Sequence, residues 1–107
     1  MGCMFGFGRK KQEEPVPIVL YTRDGCTLCD KMKLEILRSG LAGRYAMREV
    51  DIAADPELTA MYGRSIPVLE IGGKVAFKGR MSAQDFIRKF ERLAHDWHAQ
   101  REHGTLD

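Results

Sequence analysis

Two cysteines with two residues between them, Cys26 and Cys29, form the pattern with the clearest chemistry in this chain. They follow the run Ile-Val-Leu-Tyr-Thr at 18–22, which predicts a β-strand, and they open a stretch with helical periodicity. A helix N-terminus offers unpaired N–H groups and the positive end of the helix dipole, and both stabilise a thiolate. We therefore predict reversible disulfide chemistry, with Cys26 at the edge of the helix able to attack and Cys29, one turn further in, able to resolve.

The composition is that of an ordinary water-soluble domain. The 107 residues are 44% hydrophobic and 30% charged, enough for one domain with its own core. A net charge of +2 is too small to favour nucleic acid, and no apolar run approaches the roughly 20 residues of a membrane span. Three cysteines, an odd number, favour a reducing compartment. We therefore expect a cytoplasmic monomer that binds neither nucleic acid nor membranes.

The chain divides into three parts. Residues 1–15 carry glycines and charges without periodicity and do not resemble a signal peptide, so we expect a flexible arm in which Cys3 is a spectator thiol. Residues 16–100 form the predicted domain. Residues 101–107 are expected to be a polar C-terminal tail that frays.

Periodicity and turn residues predict seven elements in the order β-α-β-α-β-β-α. The first strand is apolar throughout, so we expect it to be buried on both faces. The first β-α-β unit requires parallel strands, whereas Gly72-Gly73 predicts an antiparallel hairpin because two glycines supply the positive φ angles of a two-residue turn. The prediction is an α/β fold with a four-stranded mixed sheet. Its strands lie near 17–22, 44–52, 67–71 and 74–78, and its helices start after Cys26, Asp55 and Ser82.

Six short segments follow one another in this predicted order of elements: 21–29 (Tyr-Thr-Arg-Asp-Gly-Cys-Thr-Leu-Cys), 50–52 (Val-Asp-Ile), 55–58 (Asp-Pro-Glu-Leu), 62–63 (Tyr-Gly), 66–68 (Ile-Pro-Val) and 72–73 (Gly-Gly). This arrangement of motifs resembles the glutaredoxin-like proteins of the thioredoxin superfamily over about residues 16–98. The resemblance implies a thioredoxin-like fold and a thiol-disulfide oxidoreductase that reduces protein or glutathione mixed disulfides through a Cys26–Cys29 dithiol/disulfide cycle. It also implies a cellular thiol-reducing system as the electron source, with glutathione as a candidate reductant and no permanently bound cofactor.

The same resemblance assigns roles within the site. It implies that Cys26 is an exposed nucleophile of lowered pKa and that Cys29 resolves the mixed disulfide. It also implies that Pro67 is a cis-proline facing the reactive disulfide. Its neighbour Ile66 would then offer backbone groups to an extended substrate.

The predicted topology brings four cations to the Cys26 end of the sheet: Arg23, Arg64, Lys78 and Arg80. Positive charge around a thiol favours the thiolate and attracts an anionic partner such as glutathione. Solvated loop charges are the ordinary alternative for each of them. The predicted substrate-binding residues are Arg23, Thr27, Arg64, Ile66 and Pro67.

Two segments depart from the glutaredoxins that use glutathione. Thr27-Leu28 stands between the cysteines where those proteins usually have Pro-Tyr, and residues 79–82 (Gly-Arg-Met-Ser) replace their Gly-Gly-x-Asp-Asp segment. The acidic group that would hold the glutathione amine is missing from its place, with Ser82 or Asp85 as possible substitutes. The sequence therefore leaves the identity of the reductant open.

Two other functions stay open. A redox-responsive binding module could hold a partner in the Pro67 groove without turnover. A metal or iron–sulfur module could use Cys26 and Cys29, but a closed zinc site needs two further ligands. His95 and His98 lie on the polar side of the last helix, where we expect them to point to water, and His103 lies in the tail. No metal ligand is assigned.

Overall fold

The predicted order of elements is confirmed. The computed structural model describes residues 14–106, with side chains as far as residue 101; the arm to residue 13, with Cys3, lies outside the described residues. The elements are β1 (Val16–Thr22), α1 (Thr27–Arg38), β2 (Tyr45–Asp51), a 3-10 turn (Ile52–Ala54), α2 (Pro56–Tyr62), β3 (Val68–Ile71), β4 (Lys74–Lys78) and α3 (Ala83–Leu106).

The four strands form one mixed sheet in the order β2-β1-β3-β4. β1 runs parallel to β2 and antiparallel to β3, and β3 runs antiparallel to β4. Gly72 and Gly73 adopt φ angles of 59° and 87°, so the β3–β4 hairpin turns through the two glycines as predicted. Because β1 is a central strand, its C-terminal end places the following loop, and both cysteines, at one end of the sheet.

Helices cover the two faces of the sheet unequally. On one face, α1 and α3 pack against β1 and β3; on the other face, Tyr62 of α2 packs with Ile52 and Val68 in a smaller cluster. Burial of apolar side chains between these layers is the main stabilising term of such a fold. The larger cluster consists of Val16, Ile18, Leu20, Met32, Ile36, Leu69, Ile71, Phe86, Phe90, Leu93 and Ala94.

One sequence-based expectation was wrong in detail. β1 is not buried on both faces: its residues alternate, with Pro17 exposed and Val19 and Tyr21 half-buried, because the short α2 side covers only the C-terminal part of that face. The last helix extends to Leu106, past residue 100 where the predicted domain ends, and the fraying of the tail stays a prediction.

Helix starts follow the local signals. The carboxylate of Asp55 accepts hydrogen bonds from the backbone N–H groups of Glu57 and Leu58, at 2.9 and 3.2 Å, and Pro56 occupies the first helical position of α2. The hydroxyl of Ser82 accepts one from the N–H of Asp85 at 3.0 Å. These caps start α2 and α3 where the sequence predicts.

Candidate active site

Cys26 is the N-cap residue of α1, and its sulfur lies where the helix presents unpaired N–H groups. Its backbone is extended, with φ −90° and ψ 106°, and its Sγ accepts a hydrogen bond from the N–H of Cys29 at 3.1 Å. Gly25 precedes it with φ +78°, a value that favours glycine, and so turns the chain into the helix. The same N–H donor would stabilise a thiolate at Cys26 after reduction.

The two cysteines are joined as a disulfide, with their Cα atoms 5.2 Å apart. They differ in access: Cys29 is 2% exposed, whereas Cys26 is half-buried rather than fully exposed as predicted. A side chain one turn inside α1 faces the core, while the N-cap side chain stays at the surface. A partner in solvent can therefore reach the sulfur of Cys26 and not that of Cys29.

The loop before β3 lies beside this pair. The Ile66–Pro67 peptide bond is cis, and Pro67 is buried. The carbonyl of Pro67 accepts a hydrogen bond from the N–H of Gly79 at 2.8 Å, and the N–H of Ile66 donates to the carbonyl of Tyr62 at 3.1 Å. Because its N–H is engaged inside the fold, Ile66 can offer its carbonyl, but not both backbone groups, to an extended substrate.

A depression of about 350 Å³ opens around Cys26, and we name it the Cys26 depression. It brings together four of the predicted substrate-binding residues, Arg23, Thr27, Arg64 and Ile66, while Pro67 does not line it. Arg23 and Arg64 are exposed, and neither makes an ion pair with any carboxylate in the part of the chain that the structure describes. Against the single carboxylate of Asp24 in the same lining, these two guanidinium groups leave the depression with a net charge of about +1 and a positive potential. The complete lining is Arg23, Asp24, Gly25, Cys26, Thr27, Leu28, Gly63, Arg64 and Ile66.

The other two predicted cations do not join this depression. Arg80 lies with Gly79 and Met81 in a neighbouring groove against α1, and Lys78 lines neither of the two. Of the four predicted cations, only Arg23 and Arg64 line the Cys26 depression. After β4 the chain is tied to the Pro67 loop through the N–H of Gly79, so the residues that follow pass on the α1 side of Cys26.

A polar network that sequence reasoning missed anchors α1 to the sheet. The ammonium group of Lys33 donates to the Glu49 carboxylate at 3.0 Å, and the buried hydroxyl of Thr22 donates to the same carboxylate at 3.3 Å. The hydrogen bond to Glu49 raises the pKa of Lys33 above its usual value. The network joins the helix that carries the cysteines to the central strand β1 and to its parallel neighbour, the edge strand β2.

A second contact that the sequence did not predict holds the start of α3. One oxygen of Glu35 accepts a hydrogen bond from the N–H of Ala83 at 2.9 Å, and the other accepts one from Arg38 at 3.2 Å. Ser82 and Asp85, the suggested substitutes for an amine-binding acid, are engaged locally: Ser82 caps α3 and Asp85 pairs with Arg88. No local pattern reveals a contact between residues that are 48 positions apart.

The described residues do not supply a set of ligands for the metal-binding alternative. Across the described residues, no group of three or more His, Cys, Asp and Glu side chains is arranged to hold a metal ion. His95 is 85% exposed on α3 beside Asp96, and the side chain of His103 lies outside the described part. No described helix has both the length and the apolar character required to cross a membrane.

Comparisons with known proteins agree with this architecture. The family described as "Glutaredoxin-like domain (DUF836)" matches residues 17–93 of the chain. No curated protein sequence gives a significant match.

Solved structures give the same fold. A structural-genomics target protein from X. campestris is 25% identical with a TM-score of 0.63, the match covering 70% of this chain and 96% of that one. A protein of Nitrosomonas europaea is also 25% identical, with a TM-score of 0.62 and coverage of 76% and 98%. Reduced desulfothioredoxin from Desulfovibrio vulgaris Hildenborough is 30% identical, with a TM-score of 0.52 and coverage of 78% and 82%.

A thioredoxin-like fold with a Cys-x-x-Cys pair at disulfide distance supports a redox role. The family match spans well over half of the chain, so fold, motif and sequence lead to one assignment. The chain belongs to the glutaredoxin-like domain family of the thioredoxin superfamily.

Proposed function

We propose that this protein is a thiol-disulfide oxidoreductase that reduces protein or glutathione mixed disulfides. The observation that carries the proposal is the unequal access of the two sulfurs: Cys26 is half-buried at the N-cap of α1, whereas Cys29 is buried within disulfide reach behind it. One sulfur that partners can reach and one that they cannot are what a two-step exchange requires. The Arg23 and Arg64 side chains beside Cys26 support it by favouring negative charge there.

In the first step, the Cys26 thiolate attacks one sulfur of the substrate disulfide. The substrate S–S bond breaks, a mixed disulfide forms on Cys26, and the other substrate sulfur leaves as a thiolate that takes up a proton. In the second step, the Cys29 thiol loses its proton and attacks the sulfur of Cys26. The Cys26–Cys29 disulfide forms and the second substrate thiol leaves, so two electrons and two protons pass from the dithiol to the substrate.

An external thiol must then reverse the process and regenerate the dithiol. The carboxylates of glutathione would complement Arg23 and Arg64 in the Cys26 depression, but Ser82 is engaged as the cap of α3 and Asp85 is paired with Arg88. A dithiol protein therefore stands beside glutathione as a candidate electron donor. Turnover supported by glutathione with its reductase, compared with turnover supported by a thioredoxin system, would decide between them.

The first test is a redox titration of the full chain in glutathione buffers of graded potential, with the Cys26–Cys29 disulfide scored by mass spectrometry. We expect a reversible two-electron transition in the range of roughly −200 to −270 mV known for glutaredoxins and thioredoxins. Absence of the disulfide across that range would contradict the proposal.

The second test uses single-cysteine variants with a small neutral disulfide such as 2-hydroxyethyl disulfide. Cys26→Ser should abolish turnover, whereas Cys29→Ser should still attack and accumulate a mixed disulfide on Cys26 that mass spectrometry detects. Cys3→Ser is the matched control and should turn over like the unaltered protein. One stoichiometric exchange without further cycles, in the presence of a reductant, would instead favour the passive binding module.

A further inference from the structure

We propose that a groove along α1, next to the Cys26 depression, docks a polypeptide segment of the disulfide substrate that carries aliphatic and acidic side chains. This rests on the proposed function, because it names the class of substrate that Cys26 would attack. The α1 groove has a volume of about 310 Å³ and lies between α1 and the loop after β4. Its apolar lining includes Leu28, Leu34 and Met81, and its basic lining includes Lys31, Arg38 and Arg80.

The α1 groove is continuous with the active site through one residue. Leu28, which stands between the two cysteines in sequence, lines both the Cys26 depression and the α1 groove. A helix rises about 1.5 Å per residue, so Leu34 lies about 9 Å along α1 from Leu28. An extended peptide covers that distance in about three residues. A segment whose cysteine reacts at Cys26 therefore has its near neighbours within reach of the groove.

The apolar part of the α1 groove offers surface that a partner can bury. Leu34 is 45% exposed, although it belongs to a helix whose Met32 and Ile36 are buried. Leu28 and Met81 are half-buried on either side of the groove. An aliphatic side chain placed among them would remove apolar surface from water, which favours binding.

The charged part of the α1 groove carries an excess of positive charge. Both oxygens of Glu35 are engaged, one by the N–H of Ala83 and the other by Arg38. Lys31 and Arg80 are exposed, and within the described residues neither pairs with a carboxylate. The lining carries three positive charges, on Lys31, Arg38 and Arg80, and one negative charge, on Glu35, so its net charge is about +2. An acidic side chain beside the aliphatic one complements this lining.

A polypeptide fits this surface better than a small thiol does. Glutathione bound at Cys26 would occupy the Cys26 depression with Arg23 and Arg64, and it would not need the lining beyond Leu28. Only a longer chain can place one residue at Cys26 and others beside Leu34 and Arg80 at once. The two adjoining surfaces therefore distinguish a protein substrate from a low-molecular-weight disulfide.

The test measures exchange between the reduced full-length protein and short peptides whose single cysteine carries a thionitrobenzoate leaving group. One peptide has Leu and Glu three and four residues from the cysteine, and its partner has Ser and Lys there. We expect the Leu-Glu peptide to react about 10-fold faster at low ionic strength, with the preference falling in high salt. The double variant Lys31→Glu/Arg80→Glu should remove or invert the preference, and Leu34→Ser should weaken it.

Controls separate docking from chemistry. Lys74→Glu/Arg92→Glu makes the same charge change away from the α1 groove and should keep the preference. The peptide preference of each variant is the ratio of its two peptide rates, so a change in the thiolate fraction of Cys26 cancels, and 2-hydroxyethyl disulfide measures that change separately. Equal rates for the two peptides, or groove variants that slow 2-hydroxyethyl disulfide as much as the peptide, would overturn the docking proposal.

A binding measurement tests this proposal separately from the proposed function. The Leu-Glu peptide with Ser in place of Cys should perturb NMR signals of Leu34 and Arg80 and should do so less in the Lys31→Glu/Arg80→Glu variant. Loss of exchange with every disulfide while this binding persists would refute the oxidoreductase and leave the docking surface standing. Absence of binding and of peptide preference, with 2-hydroxyethyl disulfide still reduced, would refute the surface alone.

Discussion

The two ends of the sheet differ in whether their arginine side chains are paired with carboxylates. At the end away from the cysteines, Arg44 forms a two-pronged pair with Glu91, at 2.8 and 3.0 Å, and Arg101 pairs with Glu14 and stacks over Trp97. At the cysteine end, Arg23, Arg64 and Arg80 have no carboxylate partner within the described residues. Paired charges hold elements together, whereas unpaired charges remain available to a ligand. We therefore expect charged residues at one end to act on stability, and we propose that those at the other end meet partners.

The ends also differ in how closely they pack. At the hairpin end, a Cβ added to Gly72 would come within 3.3 Å of the Trp97 side chain, and the N–H of Gly72 donates to the carbonyl of Pro17 at 2.8 Å. At the cysteine end, nothing lies within 4 Å of a Cβ added to Gly25 or Gly79, and the one close contact, of a Cβ at Gly63 with the Thr59 carbonyl oxygen at 2.5 Å, lies within the last turn of α2 and not between elements. Changes at the first end should therefore act on stability, and changes at the second on exchange.

The largest expected effect on stability comes from the core on the structural side. Phe90 is fully buried against Phe86 and Tyr45, with ring centroids 5.6 and 6.3 Å apart. Phe90→Ala should lower the free energy of unfolding by about 3–5 kcal/mol, as denaturant titration measures. Phe90→Leu is the milder control and should cost less. The rate of disulfide exchange per folded molecule should stay unchanged. A loss of exchange rate together with the loss of stability would contradict the separate roles of the two ends.

The hairpin offers a matched pair of glycines. Gly72 and Gly73 both have positive φ, so Ala at either position should cost about 1–2 kcal/mol through backbone strain. Only the Cβ at position 72 also meets Trp97, since nothing lies within 4 Å of a Cβ at position 73. Gly72→Ala should therefore lower the unfolding midpoint more than Gly73→Ala does. Equal unfolding midpoints would mean that the Trp97 side chain moves aside at no measurable cost in stability.

At the cysteine end we expect kinetic rather than thermodynamic effects. The double variant Arg23→Gln/Arg64→Gln removes both positive charges from the Cys26 depression and should reduce the thiolate fraction of Cys26 at neutral pH. Alkylation by the neutral reagent iodoacetamide should then slow about three-fold, with unfolding free energy unchanged within about 0.5 kcal/mol. Lys74→Gln/Arg92→Gln serves as the control. An alkylation rate that the two Arg changes leave unaltered would show that their positive charge does not activate Cys26.

The smallest effect concerns the Arg44–Glu91 pair. Hydrogen bonds from Arg44 lower the pKa of Glu91, with burial acting in the opposite sense. A lowered pKa means that the folded state favours the carboxylate, so the pair stabilises above the unfolded carboxyl pKa of about 4.3. This contribution is lost as the pH falls through the lower pKa of the folded state.

Glu91→Gln should therefore cost less than about 1 kcal/mol at neutral pH, because both side chains are about half exposed. The difference between the unaltered protein and the variant should vanish in acid and shrink in high salt. Denaturant titrations at neutral and acidic pH measure it. A difference that is independent of pH would show that the side chain of Glu91 acts through packing and not through charge.

Much of the architecture follows from short sequence signals. Asp55-Pro56 starts α2, Gly72-Gly73 turns the hairpin, and Cys26 caps the helix that its position after an apolar strand predicts. Each signal works through atoms only a few residues apart, so the chain next to it carries all the information needed. For this reason the element order, the mixed sheet and the cysteine pair were predictable.

Tertiary packing decided the rest. Three features depend on the positions of whole helices. They are the hydrogen bond from the Ala83 N–H to Glu35, the location of Arg80 in a different groove from Arg23 and Arg64, and the burial of β1 mainly on one face. Side-chain periodicity shows which face of an element is apolar, but it does not show how far a neighbour extends over that face. The position of Cys26 and Cys29 at the start of α1 is thus set locally and was predictable, whereas the surfaces that we propose to select a partner are made by residues distant in sequence.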